Sequence, residues 1–203
     1  MFTGIIEALG TIEAVQPLGG DVRMRFVEAS GYLADCKLGD SIACNGVCLT
    51  AVEFFANGFV ADLSSETLAA TTAGSWRAGM PVNLEKALTP SKPLGGHLVS
   101  GHVDGVGKLI GQQEEARGWR LRFAAPPELA RYIARKGSIT INGISLTVNE
   151  VEGCEFGVMI VPHTRSHTTL GTLGVGDGVN LEVDLIARYL ERLLAARDTA
   201  FPA

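Results

Sequence analysis

The sequence repeats itself at a constant spacing, and this repeat limits the possible folds more than any other feature. The string CNGVCLT at Cys44–Thr50 returns as INGISLT at Ile141–Thr147, so the two Asn-Gly pairs lie 142 − 45 = 97 residues apart. The same offset of 97 aligns further segments without a gap: Thr3-Gly4 with Ser100-Gly101, Arg23–Phe26 with Arg120–Phe123, Thr71–Gly74 with Thr168–Gly171, and Val82–Glu85 with Val179–Glu182. A match at one constant offset indicates two copies of one fold.

The repeat divides the 203-residue chain into two small domains and a tail. The copies cover residues 1–87 and 98–184, and each is long enough for a small domain. We assign the linker ALTPSKPLGG to the first copy, which gives predicted boundaries of 1–97, 98–184 and 185–203.

Composition and charge exclude several classes of protein. The net charge is −5 and only 6% of residues are aromatic, so the sequence lacks the basic groove and aromatic platforms of barrels that bind single-stranded nucleic acid. No basic segment precedes an apolar one at the start, and no stretch of about 18 apolar residues is present to span a bilayer. We therefore predict a cytoplasmic protein that binds neither nucleic acid nor membrane.

The spacing of cysteines, histidines and glycines argues against a metal or cofactor site. The four cysteines, in a chain predicted to be cytoplasmic, are expected to be reduced thiols, and they do not form the CxxC pairs of a zinc site. His163 and His167 have helical i, i+4 spacing, but the surrounding Pro and Thr disfavour a helix, so we interpret them as turn or surface histidines. Gly105–Gly107 lacks the third glycine at the spacing of a dinucleotide-binding turn.

The pattern inside each copy is that of short β-strands. Alternating or short apolar runs such as Asp21–Phe26, Gly58–Leu63 and Pro81–Glu85 are separated by Gly, Pro, Asn and Asp. About six strands of ordinary length fit into each copy, and closing them into a barrel removes the exposed edges of a small sheet. The segments Gly31–Leu38 and Glu128–Lys136 are the expected helical turns. We predict an all-β fold of two tandem barrels.

The segment after the second copy predicts an amphipathic helix. The string DLIARYLERLLAARD places one apolar stripe on one side of a helix, formed by Ile186, Tyr189, Leu190, Leu193 and Leu194. An apolar stripe of this kind needs a covering surface. We therefore predict that segment 185–203 mediates oligomerisation.

Six strings in order carry a resemblance to a known family. They are MFTGIIE, NGVCLT, DLSSETL, GGHLVSGHVDG, NGISLTV and VNLEVD, and together they resemble the riboflavin synthase α-chain family, whose members duplicate a lumazine-binding barrel. The resemblance implies a pair of six-stranded Greek-key β-barrels and a C-terminal helix that assembles a homotrimer. It also makes lumazine synthase a candidate partner.

The same resemblance implies a reaction. Two molecules of 6,7-dimethyl-8-ribityllumazine exchange a four-carbon unit, which gives riboflavin and 5-amino-6-(ribitylamino)uracil without a cofactor. A proton must leave the C7 methyl of one lumazine, and a nucleophile must add to C7 of the other. A reaction between two molecules of one compound needs two similar pockets that differ in their chemistry.

The constant offset separates shared polar positions from differing ones. Small and hydroxyl residues suited to hydrogen-bonding a polyol or ring edge recur in both copies: Gly4 and Gly101, Ser41 and Ser138, Thr50 and Thr147, and Thr67 and Thr164. Other positions differ: Ile5 and His102, Cys48 and Ser145, Asp62 and Met159, Glu66 and His163, and Ala87 and Asp184. We expect the differing positions to distinguish the donor site from the acceptor site.

The resemblance also assigns site residues. The family's catalytic candidates fall on Phe2, Thr3, Ser41, Cys48, His102, Ser145 and Asp184. Its substrate-binding positions fall on Gly4, Ile5, Ile6, Cys48, Leu49, Thr50, Asp62, Leu63, Ser64, Ser65, Glu66 and Thr67 in the first copy, and on Gly101, His102, Val103, Lys136, Ser145, Leu146, Thr147, Val161, Pro162, His163, Thr164, Arg165 and Ser166 in the second. We expect Ser145, His102 and Asp184 to act in one chemical event, and Cys48 with Ser41 in the other.

Two alternatives stay open at the level of sequence. Pattern alone gives structural roles to the same residues, because the glycines suit turns, Cys48 suits a small buried side chain, and His102 and Asp184 suit a surface. A non-catalytic lumazine- or flavin-binding paralogue, such as a fluorescent antenna protein, would keep the barrels and lose the reactive side chains. Because Cys48, His102, Ser145 and Asp184 are all present, the sequence favours an enzyme of the transferase class.

Overall fold

The structure, a computed structural model, describes residues 1–198 as two closed barrels followed by a helix. The first barrel consists of β1 Ala8–Leu18, β2 Asp21–Val27, β3 Ser41–Cys44, β4 Val47–Phe55, β5 Gly58–Leu63 and β6 Pro81–Lys86. The second consists of β7 Gly105–Glu115, β8 Gly118–Ala124, β9 Ser138–Ile141, β10 Ile144–Glu152, β11 Glu155–Ile160 and β12 Gly178–Val183. The prediction of two tandem six-stranded barrels is confirmed.

Each barrel has Greek-key connectivity. Strands β3, β4 and β5 are successive antiparallel neighbours, and β6 returns to pair with β3. Strand β1 pairs with both β2 and β6, and β2 pairs with β5, which closes the barrel. The second barrel repeats this order strand for strand. Closure pairs the edges that a small open sheet would expose.

Side-chain alternation places an apolar core inside each barrel and a second layer of side chains outside it. Ile42 and Cys44 on β3 and Leu49 on β4 are buried in the first core. Ser41 and Cys48, from the opposite face of the same strands, are half-buried. Burying each large apolar side chain stabilises the barrel by roughly 1.5–3 kcal/mol, and the core thereby fixes which side chains point outward.

Asn-Gly turns connect β3 to β4 and β9 to β10. The φ angles are 44° and 79° at Asn45 and Gly46, and 47° and 81° at Asn142 and Gly143, as a two-residue type I′ turn requires. The two turns also meet, because a Cβ added to Gly46 would lie 2.7 Å from the backbone nitrogen of Gly143. The repeated phrase therefore forms both hairpins and part of the contact between the barrels.

Two buried asparagines hold the barrels together with pseudo-twofold symmetry. Asn83 Nδ2 donates to the Asn142 carbonyl at 2.8 Å, and Asn180 Nδ2 donates to the Asn45 carbonyl at 2.9 Å. Each asparagine Oδ1 also accepts a backbone N–H from the opposite copy. The interface between the copies is thus built from equivalent contacts made in both directions.

Short helices follow β5 and β11, and the sequence analysis did not predict them. Helices α1, Ser65–Ala70, and α2, Pro162–His167, occupy equivalent positions. Pro162 suits the first turn of α2, because a backbone N–H at that position has no partner inside the helix and proline has none to lose. His163 and His167 therefore lie on a helix with their rings stacked 4.1 Å apart, so the prediction of a non-helical segment was wrong. Both are exposed, as predicted for surface histidines.

Three 3₁₀ helices complete the barrels, at Thr72–Ser75, Pro127–Tyr132 and Thr169–Gly171. The expected helical turn at Glu128–Lys136 overlaps the second of them. The expected turn at Gly31–Leu38 forms no helix, and closes instead through separate backbone hydrogen bonds of 3.1 and 3.0 Å.

The C-terminal helix α3, Leu185–Asp198, lies against the second barrel through its polar side. Arg188 forms an ion pair with Asp104, and Glu191 accepts a hydrogen bond from the Tyr132 hydroxyl. The five residues of the predicted apolar stripe remain 53–66% exposed. Residues 199–203 of the predicted tail lie outside the described residues. No helix within residues 1–198 is both long and apolar enough to cross a membrane.

Candidate functional site

The outer face of β3 and β4 forms the first candidate site, which we call the first site face. The register pairs Ser41 with Thr50 and Ala43 with Cys48, and directly paired residues of antiparallel strands project to the same side. Ser41, Cys48 and Thr50 therefore lie together outside the barrel, while Leu49 points into the core. A cleft of about 420 Å³ opens beside Ser41.

The second site face is the equivalent outer surface of β9 and β10. Ser138 pairs with Thr147 and Thr140 pairs with Ser145, so that hydroxyl groups occupy all four positions. On the first site face the position equivalent to Ser145 carries the Cys48 thiol, and the position equivalent to Thr140 carries only a methyl group. The two faces share a backbone and differ in their reactive groups.

Two N-terminal arms run between the barrels. The first arm is Phe2–Ile6 and the second arm is Val99–Val103, which are equivalent positions of the two copies. Phe2 and Val99 pair as an isolated antiparallel bridge and are buried in a small apolar cluster against Cys48. The structure thus places Phe2, a predicted catalytic residue, in a packing role beside the first site face.

A buried carboxylate anchors each arm. Glu85 accepts hydrogen bonds from the backbone N–H and the hydroxyl of Thr3, both at 2.7 Å, and from the Gly4 N–H at 2.9 Å. Glu182 makes the same three contacts with the second arm. Burial raises the pKa of Glu182, and these hydrogen bonds offset part of the rise. Thr3, another predicted catalytic residue, is wholly buried in its contact with Glu85.

Each arm also reaches the opposite barrel. The Cys48 N–H donates to the Gly101 carbonyl, and the Ser145 N–H donates to the Gly4 carbonyl, each at 2.8 Å. A Cβ added to Gly4 would lie 2.6 Å from the Ser145 Cβ, and one added to Gly101 would lie 2.7 Å from the Cys48 Cβ. Only glycine fits these positions. The arm that carries His102 therefore docks beside Cys48, whereas the sequence analysis grouped His102 with Ser145.

His97 lies on the second site face, and the sequence analysis missed it. Its Nδ1 is 2.7 Å from Ser145 Oγ, and its Nε2 is 3.2 Å from Thr140 Oγ1. Burial lowers the pKa of His97, and the negative charge of Asp184 offsets part of this effect. His97 directly follows the linker and precedes the second copy, so the comparison of the two copies does not include it. The string GGHLVSGHVDG, one of the six that carry the family resemblance, contains His97 and was the available signal.

Asp184 lies between β12 and α3. Its Oδ1 accepts the backbone N–H of Ile186 at 3.0 Å, a contact typical of a residue that caps a helix. The equivalent residue, Ala87, leads into the linker instead of a helix. The difference between Ala87 and Asp184 therefore has a structural cause as well as the electrostatic effect on His97.

Sequence comparison decides which family this architecture represents. Residues 3–87 and 100–184 each match the lumazine-binding domain. The chain is 50% identical to the riboflavin synthase of Photobacterium phosphoreum, over 96% of this chain and 89% of that protein. It is 39% identical to the riboflavin synthase of Schizosaccharomyces pombe, over 97% and 95%. The chain belongs to the riboflavin synthase family.

Solved structures with the same fold include complexes of LumP. The complex of LumP with 6,7-dimethyl-8-(1'-D-ribityl) lumazine has 25% sequence identity and a TM-score of 0.82, covering 90% of this chain and 99% of LumP. The complex with riboflavin has 26% identity and a TM-score of 0.84, with the same coverage. LumP therefore carries a lumazine or a flavin on the fold that this riboflavin synthase family member adopts.

Most of the remaining binding positions implied by the riboflavin synthase family lie at the end of β5 or directly after β5 and β11. Because β4 pairs with β5 and β10 pairs with β11, residues Asp62–Thr67 continue alongside Cys48–Thr50. Val161–Ser166 continue in the same way alongside Ser145–Thr147. The structure thus brings these two segments, unlike the arms, next to the site face of their own barrel.

Several side chains in these segments have other partners. Asp62 forms an ion pair with Arg23 at 2.7 Å, and the Arg165 guanidinium stacks over Trp119 at 4.2 Å from the ring centroid. Leu63, like Leu49, is buried in the first core, so its backbone is the part available to a ligand.

Three other predicted binding residues have packing or backbone features that the sequence analysis did not predict. Ile6 packs against the core of the second barrel and Val103 against the core of the first. Each arm therefore packs against the opposite barrel. Lys136 has a φ of 68°, in the left-handed region, where the equivalent residue is Gly39 with a φ of 89°. Lys136 therefore holds a backbone conformation that costs a non-glycine residue energy.

Proposed function

We propose that this chain catalyses the dismutation of two molecules of 6,7-dimethyl-8-ribityllumazine. A four-carbon unit passes from one molecule to the other, which gives riboflavin and 5-amino-6-(ribitylamino)uracil. Relatives that share 39–50% identity with this chain, over almost its whole length, are riboflavin synthases. The observation that carries the proposal is the pair of equivalent site faces with different reactive groups, Cys48 on one and Ser145 on the other.

The duplicated fold suits a reaction between two molecules of one compound. Thr50 and Thr147 project from equivalent positions, and hydroxyl groups there suit the same ring edge or ribityl chain. Holding two heterocycles in attack geometry makes the step effectively intramolecular, with effective molarities of about 10⁵ M or more. Positioning then supplies much of the rate, and the groups that differ between the faces supply the proton transfers and the nucleophile.

The catalytic assignments form part of the proposal. We assign Cys48, Ser41 and His102 to the first site face, where the backbone contact between the second arm and Cys48 supports the grouping. We assign Ser145 and Asp184 to the second site face. A thiol and a hydroxyl differ in acidity and nucleophilicity, so the two lumazines would meet different groups at equivalent positions.

We propose that α3 assembles the chain into a homotrimer. Support comes from the apolar stripe, which stays exposed while the polar side of the helix contacts its own barrel. Covering such a stripe contributes about 25 cal/mol for each Å² of apolar surface removed from water. Sedimentation equilibrium should give three times the chain mass, and Leu193→Glu should lower it. A monomer at micromolar concentration would contradict the assembly.

The direct test of function is incubation of the pure protein with the lumazine alone. We expect riboflavin absorbance to appear, with one riboflavin for every two lumazines consumed. Binding with a change in lumazine fluorescence, but without riboflavin, would contradict the proposal and indicate the non-catalytic lumazine-binding alternative.

Three further parts of the proposal concern the surroundings of the enzyme. We expect turnover without an added cofactor or metal, and dialysis against a chelator before the assay tests this. The free thiols of all four cysteines support a reducing compartment such as the cytoplasm. Lumazine synthase is a candidate partner through the family resemblance alone, and co-sedimentation of the two pure proteins tests the association.

A further inference from the structure

His97 is held in place by contacts on both of its sides. Its backbone N–H donates to the Thr3 carbonyl of the first arm at 3.1 Å. Its ring bridges two strands, because Nδ1 lies 2.7 Å from Ser145 Oγ on β10 and Nε2 lies 3.2 Å from Thr140 Oγ1 on β9. Thr140 is itself buried. Both ring nitrogens are therefore engaged, and the imidazole has a defined orientation towards Ser145.

The surroundings of His97 exist in one copy only. Its neighbours Ser145, Thr140 and Asp184 correspond to Cys48, Ala43 and Ala87 in the first copy. Three positions that differ between the copies are therefore gathered around this ring, on the second site face.

The ring is suited to accept a hydrogen bond. Burial lowers the pKa of His97, while Asp184 raises it in part, so the neutral imidazole predominates near pH 7. A neutral imidazole has one N–H donor and one acceptor nitrogen. The tautomer that carries its proton on Nε2 directs the donor to Thr140 and presents the Nδ1 acceptor to the Ser145 hydroxyl, which leaves the lone pairs of that oxygen free.

We propose that His97 is a positioning residue of the second site, which accepts the hydrogen bond of the Ser145 hydroxyl and directs the serine oxygen towards the bound lumazine. Thr140 holds the ring in the orientation that this requires. The inference rests on the proposed function and extends it, because it gives one of the two pseudo-equivalent sites a serine oriented by His97 while the other keeps the Cys48 thiol.

A double-mutant cycle tests the inference. We expect His97→Ala to lower kcat by roughly 10- to 100-fold, the effect of misplacing one reacting group. In the Ser145→Ala background the same change should cost less than about 2-fold, because the group through which His97 acts is gone. Affinity for riboflavin, measured by fluorescence quenching, should change by less than about 3-fold, as expected for a group that acts mainly in the transition state. Multiplicative losses in the cycle would overturn the inference.

Cys48 provides the matched control within the chain. Because Cys48 belongs to the other site face, His97→Ala and Cys48→Ala should multiply in their effects on kcat. The variant His97→Asn keeps a hydrogen-bonding group near the place of Nδ1. The logarithm of its fold loss in kcat should therefore be smaller than that of His97→Ala by at least about a third, as expected for positioning through a hydrogen bond. Asn as damaging as Ala would overturn a positioning role.

Thr140→Ala keeps the test valid if His97→Ala does not fold. It introduces the residue found at the equivalent position of the first copy, Ala43, and should lower kcat by about 3- to 10-fold, the value of one hydrogen bond. In the Ser145→Ala background this loss should vanish. A loss of equal size there would overturn the inference. Failure of the unsubstituted chain to form riboflavin would instead overturn the proposed function, and the inference with it.

Discussion

The two copies of the barrel are alike where the molecule is held together and unlike where chemistry is expected. Both arms are anchored by a buried glutamate, and both buried asparagines bond to the opposite copy. Each contact is one half of a symmetric pair, so a change in one copy would leave a buried group without its partner. The repeated strings therefore mark architecture.

Differences are found on the two site faces and in the segment after each barrel. Cys48 stands against Ser145, and Ala43 against Thr140, on otherwise equivalent strands. After the first barrel the chain forms a linker that delivers His97 to the second site face, and after the second it forms α3. The comparison shows that one duplication supplies two matching pockets. The positions at which the copies differ then give the two pockets different reactive groups.

The segments that follow the two barrels, the linker and α3, still share one type of contact. Lys92 of the linker pairs with Glu7 at 2.8 Å, and Arg188 of α3 pairs with Asp104, the equivalent acid. Burial raises the pKa of Glu7, but hydrogen bonds from Lys92 and the Tyr32 hydroxyl outweigh it, so the pKa is lowered overall. Each barrel thus uses an acid at the same position to hold the segment that leaves it.

The largest expected effect comes from removing the second copy altogether. Residues 1–97 made alone should fold and bind about one riboflavin per chain, yet form riboflavin at least ~10²-fold more slowly, because the complementary proton-transfer groups are missing. The asparagine and arm contacts are self-complementary, so two fragments should pair about a true twofold axis in place of the pseudo-twofold one. Equilibrium binding, sedimentation and turnover measure the three parts.

Efficient riboflavin formation by that fragment would break the comparison, because it would show that the distinct groups of the second copy are dispensable. A fragment that folds but stays monomeric would show that the arms dock on their own barrel when no partner is present. The complementary fragment 98–198 is the matched control, and it should also bind ligand without turning over.

A smaller effect is expected from a single change at the reactive position of the first site face. Cys48→Ala should lower kcat by roughly 10²-fold and leave affinity for riboflavin within ~3-fold, because a group that acts in the transition state affects turnover more than binding. Cys154→Ala, a half-buried thiol in the turn between β10 and β11, is the matched control and should keep full activity.

The exchange Cys48→Ser sharpens the same comparison, because it gives the first site face the hydroxyl of the second. If the thiol matters only for its size, Cys48→Ser retains nearly full activity. We expect at least ~10-fold loss, since a hydroxyl is a weaker nucleophile than a thiol at neutral pH. Equal losses of turnover and affinity would indicate a folding role instead.

The sequence predicted those parts of the fold that depend on periodic patterns. The constant offset located both barrels, and the predicted strand Gly58–Leu63 is β5 as observed. Helices α1 and α2 were missed because each has only six residues, too short for helical periodicity. They are set instead by local contacts, such as the Ser64 hydroxyl that accepts the Thr67 N–H.

The candidate site was predicted in its residues but not in its grouping. Which barrel receives an arm depends on tertiary structure, since Gly4 has the same local sequence whether it docks on β4 or on β10. His102 was therefore grouped with Ser145, although its arm contacts Cys48. His97 was missed for a different reason, because it lies outside the segments over which the two copies were compared.

Substitutions of the two interface asparagines should have similar effects on stability and no direct effect on catalysis. Asn83→Ala and Asn180→Ala each leave buried backbone groups unpaired, and each should lower the free energy of unfolding by about 1–3 kcal/mol. The two costs should agree within about 1 kcal/mol. Asn83 should be the costlier, since it also donates to Thr169 Oγ1 at 2.9 Å. Denaturant unfolding measures both, and a difference above ~2 kcal/mol would contradict the equivalence of the two halves of the interface.

The smallest expected effect is a gain of stability at Lys136. This residue holds a φ of 68° where the first copy has Gly39, and the left-handed region costs a non-glycine residue about 1–2 kcal/mol. Lys136→Gly should therefore raise the free energy of unfolding by ~0.5 kcal/mol, after the entropy that glycine loses on folding is subtracted. Gly39→Lys should lower it by a similar amount. If Lys136 binds the lumazine in the second site, Lys136→Gly should weaken ligand binding even as it stabilises the barrel, whereas Gly39→Lys should destabilise without improving binding. Equilibrium unfolding and fluorescence titration of the same two variants separate these effects, and unchanged affinity in Lys136→Gly would remove Lys136 from the site.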